Sequence, residues 1–522
     1  MKLNFFTFVY FFYILVLLIG FPVVCYLIIV GIPNLQKYFP VLNWILTVSN
    51  SYSTIYGFIS LLVCVFKYFG RKKYYFWDTT RGKYICLLDN DVKSRGSQII
   101  INESKLIPID GRIVETKGNG QSLPSITIIV PISSIMVSDQ DKAPDVCCTS
   151  NFIYYSPDHV ESTLREIGNL AYDPESTVNV IVVHNNDIKF PHYNKDLRQM
   201  LKPLQDEYFQ KYFKKLYFYS PEQKLGIIDS LNSTLGKIQD GVFAKTTYLT
   251  VIAPEEHPEH SSLVRATSLF ERTENVGIQY RNVLLNNCTL CGAVVGTEME
   301  LSYVLRNSHH VFLQEMGFFV GGVGFWKTDV LTELRFDPTA LFQGIDLSIR
   351  AISEGYKVMY SSDIIVYREM TLGMTNVIGK KVYWCRGWIR NSYNNLKSFV
   401  ASKHVSCWDK MVQIFFFIFS ELIYYVSIQS IPVFICYLIV GTYVVNTTFV
   451  ATTIIWVLIV PLNVIVMGIN NRLTSDHLAP ESYKPLSWLQ YFVYVVMYPI
   501  YDYIGFFVSI GAHLVELGQM EK

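Results

Sequence analysis

Several short stretches of this chain have residue types and spacing that suit chemistry. Ala253-Pro254-Glu255-Glu256-His257 sets two adjacent carboxylates at the end of an apolar run. Glu is an oxygen donor of the kind that Mg2+ and Mn2+ accept. His184-Asn185-Asn186-Asp187 ends a second apolar run with hydrogen-bonding side chains. Gly321-Gly322-Val323-Gly324-Phe325-Trp326-Lys327 is glycine-rich. Glycine lets backbone approach a ligand closely, and an ordinary Gly-rich turn has the same composition. Asp346 opens a helix-like stretch, where an Asp is most often an N-cap. Lys380-Lys381-Val382-Tyr383-Trp384-Cys385-Arg386-Gly387 mixes cations with aromatics, a pattern that also fits a helix lying at a membrane interface. Cys288 and Cys291 have metal-ligand spacing but stand alone, and Cys147-Cys148 is too close for an ordinary zinc pair. Zinc needs four compatible ligands, so reduced thiols are the default.

The elements that must position these residues follow from apolar patterning. Ser125-Ile126-Thr127-Ile128-Ile129-Val130-Pro131 and Val178-Asn179-Val180-Ile181-Val182-Val183 are short, nearly continuous apolar runs. Such runs suit strands buried on both faces of a parallel sheet. Helix-like stretches at 158–171, 195–210 and 223–238 alternate with strands at 215–219 and 247–252. That alternation indicates βαβ units. In open sheets of this kind ligands sit at the carboxyl ends of the strands. Both the 184–187 and the 253–257 groups fall there. Residues 71–118 are polar and basic, with alternating runs such as 97–101, and read as a small β-rich connector.

Of the 522 residues, 51% are apolar, 15% are Phe, Tyr or Trp, and 17% are charged, below the ~25% usual for soluble domains. A disordered or fibrous chain is excluded. The formal net charge of +1 gives no case for nucleic-acid binding. Leu3–Gln36, Tyr38–Phe66 and Leu422–Asn471 carry no Asp, Glu, Lys or Arg. Each exceeds the ~20 apolar residues that cross a bilayer. The basic cluster 67–73 comes directly after the second stretch, and the loop before that stretch holds only Lys37. The positive-inside rule therefore places the cluster and the chain beyond it in the cytosol. Near the C-terminus, spans are expected at 423–445, 449–469 and 488–512, the last carrying Pro499 and Asp502. Met411–Glu421 reads as an interfacial helix or the start of a further span. The expected organisation is a transmembrane hairpin at 1–70, a basic connector at 71–120, a cytosolic α/β domain at 121–405, and an interfacial helix with C-terminal spans at 406–522. The sequons at Asn102, Asn232 and Asn287 mean little in a cytosolic segment.

This layout resembles the membrane-embedded processive family-2 glycosyltransferases, the cellulose, chitin and hyaluronan synthases. The resemblance covers nearly the whole chain and is best between 321 and 390. It implies a GT-A-like, mostly parallel sheet between N-terminal and C-terminal transmembrane helices. The segment Gly344-Ile345-Asp346-Leu347-Ser348-Ile349-Arg350 is similar to the family's Thr-Glu-Asp region, which implies Asp346 as general base. Gly321, Gly322, Trp326, Lys327 and Trp384 are implied at the acceptor. Residues 380–387 line up with the Gln-x-x-Arg-Trp box, where Lys380 stands for Gln and Tyr383 for Arg. Lys380, Lys381 and Arg386 are then the cations for the diphosphate. The family's Asp-x-Asp metal site corresponds to Ala253-Pro254-Glu255, which leaves Glu255 and Glu256 to hold Mg2+ or Mn2+. His184, Asn185, Asp187, Lys224 and Glu255 are implied at the donor.

The expected function is an inverting β-glycosyltransferase. It would pass sugar from a nucleotide-sugar donor, UDP-sugars favoured, to a growing glycan or lipid acceptor, coupled to translocation. The expected location is an integral, multi-pass position in a lipid bilayer, the plasma membrane favoured. The losses at Ala253 and Tyr383 support a second reading, a catalytically impaired pseudo-glycosyltransferase acting as a binding or scaffolding subunit. A transporter or receptor with an unrelated cytosolic domain is a third. The sequence carries no symmetry cue to an oligomer.

Overall fold

The computed structural model describes parts of 44–62, four strands within 73–115, and, with short gaps, 124–132, 157–184, 198–307, 316–369, 374–414, 447–474 and 485–520. The charge-free stretch 3–36, the run 97–101, Cys147, Cys148, Cys288, Asn102, Asn287, and the span expected at 423–445 lie outside the described residues.

The connector region holds two antiparallel hairpins: β1 (Lys73–Asp78) with β2 (Lys83–Leu88), and β3 (Leu106–Ile109) with β4 (Arg112–Glu115). The central sheet has eight strands. They are β5 (Ile126–Ile132), β6 (Val178–His184), β7 (Lys214–Tyr219), β8 (Tyr248–Val251), β9 (Glu256–Pro258), β10 (Gly277–Leu284), β11 (Phe325–Lys327) and β12 (Val358–Arg368). Their order across the sheet is β7-β6-β5-β8-β11-β10-β12-β9. The pairs β5–β6, β6–β7, β5–β8 and β10–β12 are parallel, whereas β11 and β9 run antiparallel to their neighbours. The sheet is therefore more mixed than the sequence pattern suggests. The two reversed strands are three residues each, too short to carry a period of their own.

Helices cover both faces. They are α1 (Pro157–Gly168), α2 (Ile227–Gln239), α3 (Ser262–Arg272), α4 (Leu290–Glu300), α5 (Thr328–Leu334), α6 (Gln343–Ser353) and α7 (Met374–Ala401). Along β5, Ile126, Ile128 and Val130 face α1 and α3, and Ile129 faces the α2, α5 and α6 side. Every residue of β6 is buried, which explains its nearly continuous β-branched run, broken only by Asn179 before it ends at His184. Fully burying one such Val or Ile contributes roughly 1.5–3 kcal/mol. Pro157 begins α1, where a missing N–H costs nothing. Thr289 caps α4 by accepting from the Gly292 N–H at 3.0 Å. Residues 198–211 are helical with a π-turn at Leu204–Tyr208.

Beyond α7 come α8 (Cys407–Ile414), α9 (Thr447–Thr474, with Pro461 inside) and α10 (Trp488–Met520). Helices α9 and α10 stand where spans at 449–469 and 488–512 are expected. Among the described residues no helix is long and apolar enough to cross a membrane. The side chain of Asp502 is outside the described ones. Helix α10 is fastened to the sheet domain by polar bonds. Glu516 accepts from Arg386 at 2.6 Å and Arg390 at 2.7 Å, and Tyr491 donates to Glu300 at 3.0 Å.

Candidate functional site

Strands β5, β6, β7, β8, β10 and β12 all end at one edge of the sheet, and β9 begins there, with Glu256 opposite Arg368. The chain passes from β5 to β6 and β7 on one side, then returns to β8 on the other. Such a switch in strand order opens a crevice at the carboxyl edge. Residues 252–256 leave β8 directly into it.

They do so through a tight turn. The Ala253 carbonyl accepts from the Glu256 N–H at 2.8 Å, and Pro254 sits second in the turn, where its fixed φ suits. The Pro254 carbonyl accepts from the Thr163 hydroxyl of α1. Glu256 folds back onto this turn: its Oε2 accepts from the Ala253 N–H at 3.0 Å and from the Tyr280 hydroxyl at 3.1 Å. It is 2% exposed. Burial raises its pKa, Glu255 adds to the rise, and Arg368, the Ala253 N–H and Tyr280 offset part of it. Burial and Glu256 together hold the Tyr280 phenol well above its usual value. Glu255 turns the other way and accepts from Arg368 Nη2 at 2.8 Å. In this pair the arginine side chain is 33% exposed and the glutamate 8%, so the cation is the outer member.

His257, next on β9, meets Glu166 of α1 at 2.5 Å. Burial alone would lower its pKa, but Glu166, Glu369 and Glu255 outweigh that, and the net shift is upward.

The glycine-rich segment reaches the same place. Gly322 has φ +65°, and a Cβ there would collide with the Tyr280 hydroxyl. Gly322, Tyr280 and Glu256 thus form a continuous chain of contacts. Gly344, in the first turn of α6, lies against the Gly322 carbonyl, so only glycine allows that approach.

Lys380, on α7, is half-buried and makes no hydrogen bond or ion pair among the described residues. Burial and the neighbouring Arg368 lower its pKa to about 8, with Glu255 pulling the other way.

The structure brings together Glu255, Glu256 and Gly322 at this edge and separates several other residues of the sequence-based set. Asn185, Asp187, Lys224 and Gly321 lie outside the described residues. His184 ends β6 fully buried, stacked on Phe218 with ring centroids 6.4 Å apart. Trp326 is also fully buried. It packs on Phe319 and donates to the Val323 carbonyl at 2.6 Å, so its role is in the core and it cannot touch a glycan. Lys327 pairs with Tyr248 at the start of β8, because β11 runs backwards; it lies at the opposite edge from Gly322. Lys381 is held by Glu298 at 3.2 Å and over the Tyr501 ring, and Arg386 by Glu516. Both cations are spent in joining α7 to α4 and α10. Trp384 remains 38% exposed beside Phe342 and Trp388. Tyr383 donates to the Leu341 carbonyl at 3.0 Å.

Asp346 lies in the first turn of α6 and is not its N-cap, a position held by Phe342. It is 2% exposed. Arg350, one turn on, bonds Oδ2 at 2.7 Å, and Asn395 bonds Oδ1 at 2.9 Å. Arg350 also donates to the carbonyls of Leu334 and Arg335, each at 2.7 Å. A general base must present a free oxygen to the hydroxyl it deprotonates. Asp346 is covered and both its oxygens already accept hydrogen bonds, and the pair links α5, α6 and α7.

The residues present also fit a divalent cation poorly. Mg2+ and Mn2+ need several oxygen ligands around one point. Glu255 faces Arg368, Glu256 closes its own turn, and among the described residues no group of three His, Cys, Asp or Glu could hold a metal. Arg368 and Tyr280 are the residues sequence reasoning missed. Arg368 carries no motif signal beyond standing at the end of a long β-rich run, and Tyr280 is one aromatic among many.

No family profile matches the chain, and no curated protein matches it. Among solved structures it resembles the mannosyltransferase PcManGT from Pyrobaculum calidifontis in complex with GDP-Man and Mn2+, at 10% identity over 90% of this chain and 99% of that one, with a TM-score of 0.41. It also resembles residues 1–349 of S. aureus TarS in complex with UDP-GlcNAc, at 8% identity over 74% of this chain and 90% of that one, with a TM-score of 0.35.

Proposed function

We propose that this chain binds a nucleotide-activated sugar at the carboxyl edge of its sheet and transfers the sugar, with inversion, to a growing glycan at a membrane. The observation that carries the reading is the meeting of the 253–256 turn, Tyr280 and the Gly322 segment at the carboxyl edge, with the Glu255–Arg368 pair beside them. In such a transfer the acceptor hydroxyl attacks the anomeric carbon, loses its proton to a base, and the nucleoside diphosphate leaves. A cation beside the leaving group stabilises the charge that develops on it. Trp384, exposed next to Phe342 and Trp388, offers a ring face on which a sugar of the acceptor can stack.

The membrane part of the proposal rests on how the flanking helices pack. The helical residues within 44–62 lie on α9, where the buried Asn50 donates to the Thr453 hydroxyl at 3.0 Å and Gly57 lets Ile459 approach closely. Outward, Trp44, Val48, Phe58, Ile455, Leu458 and Ile465 are about half exposed or more. Polar and small residues between helices with large apolar ones outside is the reverse of a water-facing surface and suits lipid. The charge-free stretches 3–36 and 422–446 would extend this contact with the bilayer. The domain boundaries at 70, 120 and 405, a cytosolic sheet domain, a plasma-membrane location and coupled translocation belong to the same proposal.

A second reading, a binding or scaffolding subunit without transfer activity, is favoured by Asp346, whose two oxygens are both engaged. One experiment separates the two. Full-length protein in nanodiscs is tested for nucleotide release from a panel of UDP- and GDP-sugars, and for binding of the same donors by calorimetry. Release above the protein-free rate supports transfer. Binding without release supports the second reading. If neither occurs with any donor, both are rejected. If release does occur, its survival in Asp346→Asn would exclude Asp346 as the base.

A further inference from the structure

The proposed donor site keeps carboxylates where a metal would be expected, yet the outer member of its Glu255–Arg368 pair is the cation. We propose that Arg368 and Lys380 hold the diphosphate of the nucleotide directly, in place of a divalent cation, so that binding at this edge is independent of metal. The proposal rests on the nucleotide-binding reading above and adds how the diphosphate is held.

Three observations carry it. First, the Glu255–Arg368 pair is oriented with its cation outward: the guanidinium is a third exposed and the carboxylate beneath it is nearly covered. An anion arriving from solvent meets Arg368 first, whereas a metal ion would have to displace it to reach Glu255. Second, Glu256 already serves the Ala253 N–H and Tyr280, which fix the turn and the Gly322 segment. Drawing it out to ligate a metal would undo both. Third, Lys380 stands half-buried on α7, and among the described residues it has no hydrogen-bonded or ionic partner of its own. Each of these cations favours a diphosphate over a divalent ion. Arginine adds a planar fork of donors that matches phosphate oxygens, and lysine adds a compact point charge.

Glu255 distinguishes this arrangement from a metal site by sign. As a metal ligand, its loss weakens nucleotide binding. As the counter-ion beneath Arg368, it competes with the diphosphate for the guanidinium, so its neutralisation tightens binding.

The test is calorimetric titration of UDP and GDP into full-length protein in nanodiscs. It is run in EDTA, in Mg2+ and in Mn2+, with wild type, Glu255→Gln and Lys380→Ala. The expected result is an affinity for at least one nucleotide that agrees within about twofold across the three buffers. Lys380→Ala weakens it about tenfold, the scale of one charge-assisted hydrogen bond. Glu255→Gln strengthens it. Thermal unfolding of each variant without nucleotide shows whether it is folded, and Lys380→Gln replaces Lys380→Ala if the latter is not. Binding that appears only with Mg2+ or Mn2+, or that Glu255→Gln abolishes in a folded protein, overturns the metal-free site and leaves nucleotide binding intact. No binding of either nucleotide in any buffer rejects the nucleotide reading and this inference with it.

Discussion

Asp346 with Arg350 and Glu255 with Arg368 are both carboxylate–guanidinium pairs, and they stand in opposite relation to solvent. In the first the carboxylate is 3% exposed and the arginine 24%, and Asn395 and two backbone carbonyls complete the set. In the second the arginine is 33% exposed. A charge whose partners are all internal cannot serve a ligand without leaving them. A charge with one exposed side can meet an anion from solvent while keeping its internal partner. The exposed pair Lys245–Asp329, at 60% and 76% exposure, marks the far end of the same scale. Residue type alone would make the three pairs equivalent, but burial ranks them.

The largest effect should come from the most enclosed pair. Arg350→Ala removes three donors from oxygen acceptors and leaves Asp346 with Asn395 alone, so a loss of roughly 3–5 kcal/mol is expected. Denaturant or thermal unfolding of the purified protein measures it. A loss below about 1 kcal/mol would place this pair with ordinary surface contacts. Next is Gly322→Ala, which sets a side chain at φ +65° and drives its Cβ into the Tyr280 hydroxyl. About 1–3 kcal/mol is expected. Nucleotide affinity should fall with it, because Tyr280 also holds Glu256. Stability lost with affinity retained would uncouple the glycine segment from the 253–256 turn.

A pH dependence sharpens the open side of the comparison. Lys380 titrates near 8 in the fold against 10.5 in an unfolded chain, with Arg368 and Glu255 as the charged groups facing it. Between those values the unfolded chain binds more protons, so Lys380 makes stability rise with pH across that window. Nucleotide affinity runs the other way and should weaken as pH climbs past about 8. Lys380→Arg should flatten both trends, and an unchanged affinity profile in that variant would remove Lys380 from the site. The smallest effect belongs to Lys245→Ala, whose exposed pair should contribute less than about 0.5 kcal/mol to the unfolding free energy.

Much of the fold is legible in the sequence. The runs at 125–131 and 178–183 are the central strands because both faces of the sheet bury them, and burial on both faces leaves a continuous apolar signature. The short antiparallel β9 and β11 are not legible, because three residues carry no period. The site is legible by position and not by role. Strand ends point to 253–257, and the glycine segment to 321–324. Trp326 reads as a ligand contact although it belongs to the core, since an aromatic beside glycines looks the same in either setting. Lys327 reads as lying at the site although it sits at the other edge, because nothing local reveals that β11 runs backwards.

The sequence by itself determined which segments would be buried, where carboxylates and cations would leave the strands, and where backbone would need glycine. Only the tertiary structure decided which charges remain available. Glu255 is 113 residues from Arg368, and Asp346 is 49 from Asn395. Local patterning records whether a residue is polar. Whether its charge is neutralised within the fold or offered to a ligand depends on partners that only folding brings near, and on how much water remains around them.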